Sequence, residues 1–376
     1  MTLDDLRTEG LYDPTAADAA EKRELFERAL AAGADVDDIR QAVDERWLHV
    51  LPMRLALLGG ERRMTIDEAA DAAGVDRAFA NRVWNALMIP HRGGRECSAA
   101  DVAIFEFWAQ MRALLGDEAC LRGAQSHGAA MAMLTDSEVT QVRSILEAPR
   151  RDAGDDNVDV ADLLRDTMGS VLPSLHAMLL RLHVHHLMAA ARRYTLWGLA
   201  PNVDSTGEVV VGFADMVGFT ALGNLLEPNQ IDALLHTFEE RATHSATGAA
   251  TRLVKLIGDE AMFVAGSADD ALKVAQALVT DRDLPPLRVG LSSGPVVIRG
   301  GDVFGVSVNR AARLVAVAAP GEILLDAHTA AMLSDGSATD AAGMRDLPGF
   351  PEPVEVFSVA FRERAVRPND RLPGST

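Results

Sequence analysis

The sequence predicts an α+β protein, with an all-helical N-terminal half followed by a domain in which helices pack on a sheet. Three observations carry that expectation. The chain has 376 residues, too many for one ordinary domain. Through residue 200, apolar positions recur at three- and four-residue steps, as in Leu25, Phe26, Ala29 and Leu30. Beyond Gly207, short β-branched or aromatic runs alternate with segments rich in Ala and Leu.

Taken in order, the helical half is expected to break near Gly59-Gly60, Gly93-Gly94 and the polar run Arg150–Asp156. A long helix is expected over Val158–Leu196, with Pro173 kinking or restarting it. Pro201, Asn202, Asp204 and Ser205 give residues 201–207 linker composition. Strands are expected at Glu208–Asp215, Arg252–Asp259, Ala261–Ala265, Leu287–Ser293 and Gly321–Asp326. Helices are expected between them at Glu227–Thr247, Ala268–Arg282 and Ser307–Ala318. The order strand, helix, hairpin, helix, strand resembles a ferredoxin-like (βαββαβ) core. The expected organisation is a helical domain over 1–200, a linker over 201–207, a second domain over 208–362 and a flexible tail over 363–376.

Composition narrows the function classes. A hydrophobic content of 48 % supplies two cores. The formal net charge of -19 argues against a nucleic-acid or anionic-membrane binder, since both need a basic face. Cys97 and Cys120 show no CxxC spacing, so neither a disulfide framework nor a structural zinc site is indicated. The start MTLDDLRTEG lacks the basic-then-apolar order of a signal peptide. The richest apolar stretch, Met178–Ala191, is cut by Arg181 and by histidines, so no membrane span is expected. The expectation is a soluble, cytoplasmic protein.

Three segments of the second half carry chemistry. In Gly212-Phe213-Ala214-Asp215-Met216-Val217-Gly218-Phe219-Thr220, a strand delivers Asp215 to its end and a glycine turn starts a helix. The free backbone N–H groups around Phe219 and Thr220, beside a carboxylate, suit a metal-bound polyphosphate. Lys255-Leu256-Ile257-Gly258-Asp259-Glu260 reads as a hairpin with Asp259 at its tip. In the run from Asp302 to Arg313, Asn309 and Arg313 are i, i+4 on a helix and point the same way. Singly, each feature has a bland reading: a strand-end aspartate as a turn residue, Lys255 as an edge-strand lysine, Arg313 as a surface arginine. Their joint order and spacing carry the argument.

FADMVGFT, KLIGDE and DVFGVSVNRAAR resemble the three signature segments of class III adenylyl cyclases, and the resemblance covers Glu208 to Phe361. It implies metal binding by Asp215 and Asp259, with two Mg²⁺ or Mn²⁺ ions per active site. It further implies adenine recognition by Lys255 and Asp302, ribose orientation by Asn309 and transition-state support by Arg313. The resemblance also implies a head-to-tail homodimer with shared sites, one subunit giving the metal aspartates and the other the remaining four residues. One departure stands out. Where the family often has a basic residue just before a glycine, this chain reads Arg345-Asp346-Leu347-Pro348-Gly349. Either Arg345 substitutes for it at the triphosphate or triphosphate affinity is lower.

The chemistry of that set is coherent. Cyclisation of ATP needs the 3′-oxygen to attack the α-phosphorus while pyrophosphate leaves. Two cations held by two carboxylates lower the hydroxyl pKa and neutralise the polyphosphate. A guanidinium near the α-phosphate stabilises charge that develops only in the transition state. A lysine donor facing adenine N1 and an aspartate acceptor facing the N6 amino group select adenine, because guanine presents the opposite pattern. That pair disfavours a guanylyl cyclase, and no GGDEF-like run suggests a diguanylate cyclase.

In the N-terminal half, Arg62–Phe105 resembles a helix-turn-helix, MTIDEAADAAG followed by VDRAFANRVWNAL. Its DNA-reading version would make the chain a nucleotide-sensing transcriptional regulator. Asp67, Glu68, Asp71 and Asp76 crowd the motif with acid, which favours a plain helical hairpin and no nucleic-acid partner. His176, His183, His185 and His186 cluster on the long helix. No carboxylate or cysteine joins them as a metal site, which leaves ordinary solvated histidines or a proton switch that biases how catalytic domains meet. The apolar run Leu172–Met188 is either core, a dimer interface or the lining of a lipid pocket. The whole layout resembles soluble actinobacterial cyclases with a helical regulatory region.

Overall fold

A computed structural model describes residues 1–57, 64–90, 94–95, 97–199, 206–334 and 339–359. The expected break at Gly59-Gly60, Gly93, linker residues 201–205 and the tail over 363–376 lie outside these residues. The chain divides into two compact units, Met1–Val184 and His185–Thr376.

The first unit is helical. Its helices begin where the sequence supplies caps: Thr2, Asp35 and Thr65 each form a reciprocal capping box, satisfying N–H groups that have no partner in the first turn. One core gathers Leu6, Phe26, Ile39 and Leu51 with Val158 and Ala161 of the long helix. A second joins Phe79, Val83, Trp108, Cys120 and Ala124. The helix-turn-helix-like segment forms two short helices, Ile66–Ala72 and Arg77–Ala86. There Arg77 is bound to Asp71 at 2.5 Å, so the acidic residues of the motif hold its own cation.

The long helix runs without interruption from Asn157 to Leu196, through Pro173. A proline costs about 3 kcal/mol inside a helix, and cooperative hydrogen bonding on both sides absorbs that loss within 40 residues. His176, His183, His185 and His186 are all exposed on it. So are Met178, Leu180, Leu187 and Met188 of the apolar run. Among the described residues no helix is long and apolar enough to cross a membrane.

The second unit is built on β1 (Thr206–Met216), β2 (Thr251–Ile257), β3 (Glu260–Ala265), β4 (Leu287–Arg299), β5 (Asp302–Phe304), β6 (Ile323–Asp326), β7 (Thr339–Arg345) and β8 (Val354–Val359). Its helices are α1 (Phe219–Gly223), α2 (Pro228–Ala246), α3 (Ala268–Val279), α4 (Val306–Val317) and α5 (Ala327–Ala331). The sheet order is β2-β3-β1-β4-β6-β8-β7, with β5 paired to β4. Only the β4–β6 contact is parallel among the described pairs. The βαββαβ core expected from sequence is therefore present, extended by β5 to β8.

Phe238, Phe263, Leu272 and Leu291 lie in a core that joins α2 and α3 to one side of the sheet. Val211, Phe213, Met262 and Val264, the alternate positions of β1 and β3, pack with Ala311 and Val315 of α4. Trp197 joins this second core and donates its indole N–H to the Ala250 carbonyl at 2.8 Å. Gly290 sets how closely α4 approaches β4. A Cβ there would stand 2.4 Å from the Ala311 carbonyl oxygen and 2.4 Å from the Val315 nitrogen.

Candidate active site

The end of β1 and the tip of the β2–β3 hairpin form the acidic part of the site. Pairing places Asp215 opposite Glu260 on one side and Arg288 on the other. Gly258, at φ +61°, makes the turn that delivers Asp259, and the Asp259 carbonyl accepts the Met216 N–H at 3.1 Å. That bond ties the hairpin tip to the strand bearing Asp215. Arg288 donates Nε to an Asp215 oxygen at 2.7 Å and Nη1 to the Ala316 carbonyl at 3.1 Å, and its Nη2 lies 2.6 Å from the same Asp215 oxygen as an ion pair.

These charges press on one another. Burial pushes the Asp259 carboxyl above its ordinary pKa and the negative charge of Asp215 adds to the rise, while Arg288 opposes it. Glu260 is raised by burial and then by Asp215 and Asp259. Three carboxylates against one guanidinium leave a deficit of positive charge, and hard oxygen donors suit Mg²⁺ or Mn²⁺. Among the described residues no three His, Cys, Asp or Glu side chains converge as a complete metal cage. Mg²⁺ is commonly bound by one or two carboxylates completed by waters and substrate phosphates, so a complete protein cage is not required of such a site.

A second group lies on β2 and β5. Lys255 Nζ and Asp302 Oδ2 are 2.6 Å apart, joining residues 47 positions apart in the chain. The other Asp302 oxygen accepts the Val303 N–H at 2.8 Å. Burial works against ionising Asp302, but the Lys255 hydrogen bond, the Val303 N–H and the charges of Lys255 and Arg252 outweigh it and hold the pKa below the usual value.

The third group is Asn309 and Arg313, both exposed and one turn apart on α4. Among the described residues no side-chain hydrogen bond or ion pair joins them to the other two groups. Phe219 and Thr220 open α1 directly after the Gly218 turn. Arg345 stands exposed at the end of β7, with three strands between it and β1 in the sheet, so the fold does not bring it to Asp215 within one chain. Pro348 follows the buried Leu347 and is itself exposed. Arg288 and Glu260 are the residues that sequence reasoning missed. Their one signal is charge at the end of apolar strands, and the pairing register that gives it meaning is not written in either strand.

Residues 201–360 match the family described as the adenylate and guanylate cyclase catalytic domain. An uncharacterized protein of Mycobacterium tuberculosis strain H37Rv is 33% identical, covering 97% of this chain and 96% of that protein. The adenylate cyclase of Streptomyces coelicolor is 31% identical, covering 76% of each. Among solved structures, the adenylyl cyclase CyaB from P. aeruginosa is similar at a TM-score of 0.38 and 23% identity, over 42% of this chain and 96% of that one.

Proposed function

We propose, from the premise that this chain belongs to the adenylate and guanylate cyclase family, that it converts ATP to 3′,5′-cyclic AMP and pyrophosphate. The observation that carries the choice of adenine is the 2.6 Å pairing of Lys255 with Asp302. A donor and an acceptor held side by side match adenine N1 and N6 and repel the corresponding edge of guanine. The same pairing disfavours a guanylyl cyclase.

Asp215 and Asp259 are the residues that would hold two Mg²⁺ or Mn²⁺ ions. When bound, such ions lower the pKa of the 3′-hydroxyl and neutralise the polyphosphate. The chain's own groups do the rest. The N–H groups of Phe219 and Thr220 face the phosphates, and Arg288, released from Asp215, supplies a guanidinium to the same region. Asn309 fixes the ribose so that the 3′-oxygen lies in line with the α-phosphorus. Arg313 stabilises the charge that grows there in the transition state.

The exposure of Asn309 and Arg313 supports a homodimer in which each site takes its metal aspartates from one subunit and its other four residues from the partner. Arg345, remote from Asp215 within the chain, fits the triphosphate only across such an interface. Residues 208–362 form the catalytic domain in this reading and residues 1–200 regulate how two of them meet. Replacing His176, His183, His185 and His186 with glutamine tests a proton switch, since an unchanged activity–pH profile would remove it. Activity unchanged by added fatty acid would do the same for a lipid site at Leu172–Met188.

The deciding experiment is cyclic nucleotide production by the full chain from ATP and, separately, GTP with Mn²⁺. Cyclic AMP from ATP that disappears in Asp215→Ala is the expected result. No product from either nucleotide overturns the proposal.

A further inference from the structure

We propose that Arg310, held by the buried carboxylate of Asp326, is a positioning residue that fixes the rotation of α4 and so the aim of Asn309 and Arg313. The inference rests on the cyclase reading above.

Arg310 follows Asn309 directly and precedes Arg313 by three. At about 100° per residue it flanks the stripe those two side chains form without belonging to it. Its Nη1 reaches Asp326 Oδ2 at 2.9 Å. The carboxylate is 3% exposed, whereas the guanidinium is 28% exposed. A buried carboxylate must have its charge and lone pairs met, and here the partners come from several elements. Ser292 of β4 donates its hydroxyl at 2.7 Å, and the Thr329 N–H of α5 donates at 2.9 Å. The Thr329 hydroxyl also bonds to Asp326, and the same oxygen accepts the Ser293 N–H at 2.6 Å. Asp326 is thereby locked to the sheet before Arg310 reaches it.

The arginine is fixed on a second side. Its guanidinium lies 5.4 Å from the centroid of the Phe350 ring, within cation–π range. Two constraints therefore act on α4. The close approach at Gly290 sets its distance from the sheet, and the buried Ala311, Leu314 and Val315 turn its apolar face inward. Arg310, tied to a carboxylate bonded to β4 and α5, adds a directional polar constraint directly beside Asn309. A helix whose exposed face must meet metal-bound phosphates held by another subunit has no other side-chain ion pair beside its working residues among the described contacts.

The test uses full-length Arg310→Lys, Arg310→Met and the double variant Arg310→Met/Asp326→Asn, with kcat, KM for ATP and thermal midpoint measured for each. Arg310→Met is expected to lower kcat by about 100-fold, the scale of an ångström-sized misplacement, with KM within about threefold of wild type. Arg310→Lys keeps the charge without the planar fork and should fall between. The double variant removes the orphaned carboxylate charge, so it should regain the thermal midpoint while kcat stays low. A purely structural brace predicts that kcat returns with the midpoint, and that result overturns the proposal, as does a loss confined to KM. Should Arg310→Met fail to fold, the double variant decides alone.

Mixing adds an independent readout. Arg310→Met combined with Asp215→Ala should recover activity, because one composite site then has intact aspartates and an intact α4. Arg310→Met combined with Arg313→Ala should not. Recovery in both mixtures, or in neither while Asn309→Ala with Asp215→Ala recovers, overturns the proposal. An inactive wild type refutes the cyclase reading and takes this inference with it. An active wild type indifferent to Arg310 refutes the inference alone.

Discussion

Asp302→Asn probes the proposed adenine pair with the least disturbance of shape. The carboxylate is acceptor-only, whereas an amide offers an oxygen on one side and an NH₂ on the other. Turned one way, asparagine still accepts from adenine N6. Turned the other, it donates to guanine O6, where aspartate would repel. One mismatched contact in a desolvated site costs about 1–3 kcal/mol, so the ATP:GTP ratio of kcat/KM should fall by about 5- to 150-fold. Lys255 still opposes the guanine N1–H, so ATP stays preferred. The fold should scarcely notice: the side chains of Lys255 and Asp302 are 41% and 31% exposed, and such a pair contributes about 0–1 kcal/mol. That corresponds to no more than about 4 °C in Tm. Initial rates with each nucleotide, alongside calorimetry, measure both quantities. An ATP:GTP ratio within about twofold of wild type, at normal Tm, would refute the assignment of Asp302 to the purine.

Other expectations concern the metal end and the helix contact. Arg288→Met removes the guanidinium that holds Asp215 through two nitrogens. Mn²⁺ titration calorimetry without nucleotide should show about fivefold tighter binding, after discounting for solvent exposure, while KM for ATP rises. Asp259 and Glu260 have raised carboxyl pKa values, so their ionisation is disfavoured in the fold. Their contribution to stability is complete below the unfolded carboxylate pKa and is lost as pH rises through the folded one. A divalent cation offsets that loss, so the rise in Tm caused by Mn²⁺ should be larger at neutral pH than near pH 4, and an equal rise at both would contradict it. Gly290→Ala drives a methyl group against the backbone of α4. A destabilisation of about 1–3 kcal/mol in denaturant melts, together with a drop in kcat of order 100-fold, is expected.

What the sequence makes legible and what it hides divide along the distance over which each feature is decided. Asp215 and Asp259 are readable because a strand end and a Gly258 turn are local facts. Asn309 and Arg313 share a face because helical periodicity alone requires it. Strand β5 is three residues long and exists only because β4 pairs with it. Strand β7, TDAAGMR, has loop composition and is held by β8. The Val354–Val359 run of β8 does carry a β-branched signal, unlike its partner. The same division runs through the site. Every residue of the Asp215–Arg288, Lys255–Asp302 and Arg310–Asp326 contacts is visible in the sequence, but the partners lie 73, 47 and 16 positions apart. Each contact depends on which strands are neighbours and in what register. A one-residue slip of β4 against β1 would turn Arg288 to the opposite face from Asp215 and leave both motifs unchanged. The signature segments therefore point to the chemistry, whereas the register of β4 sets how Asp215 and Arg288 meet, and substitutions at Arg288, Gly290 and Arg310 test that second layer.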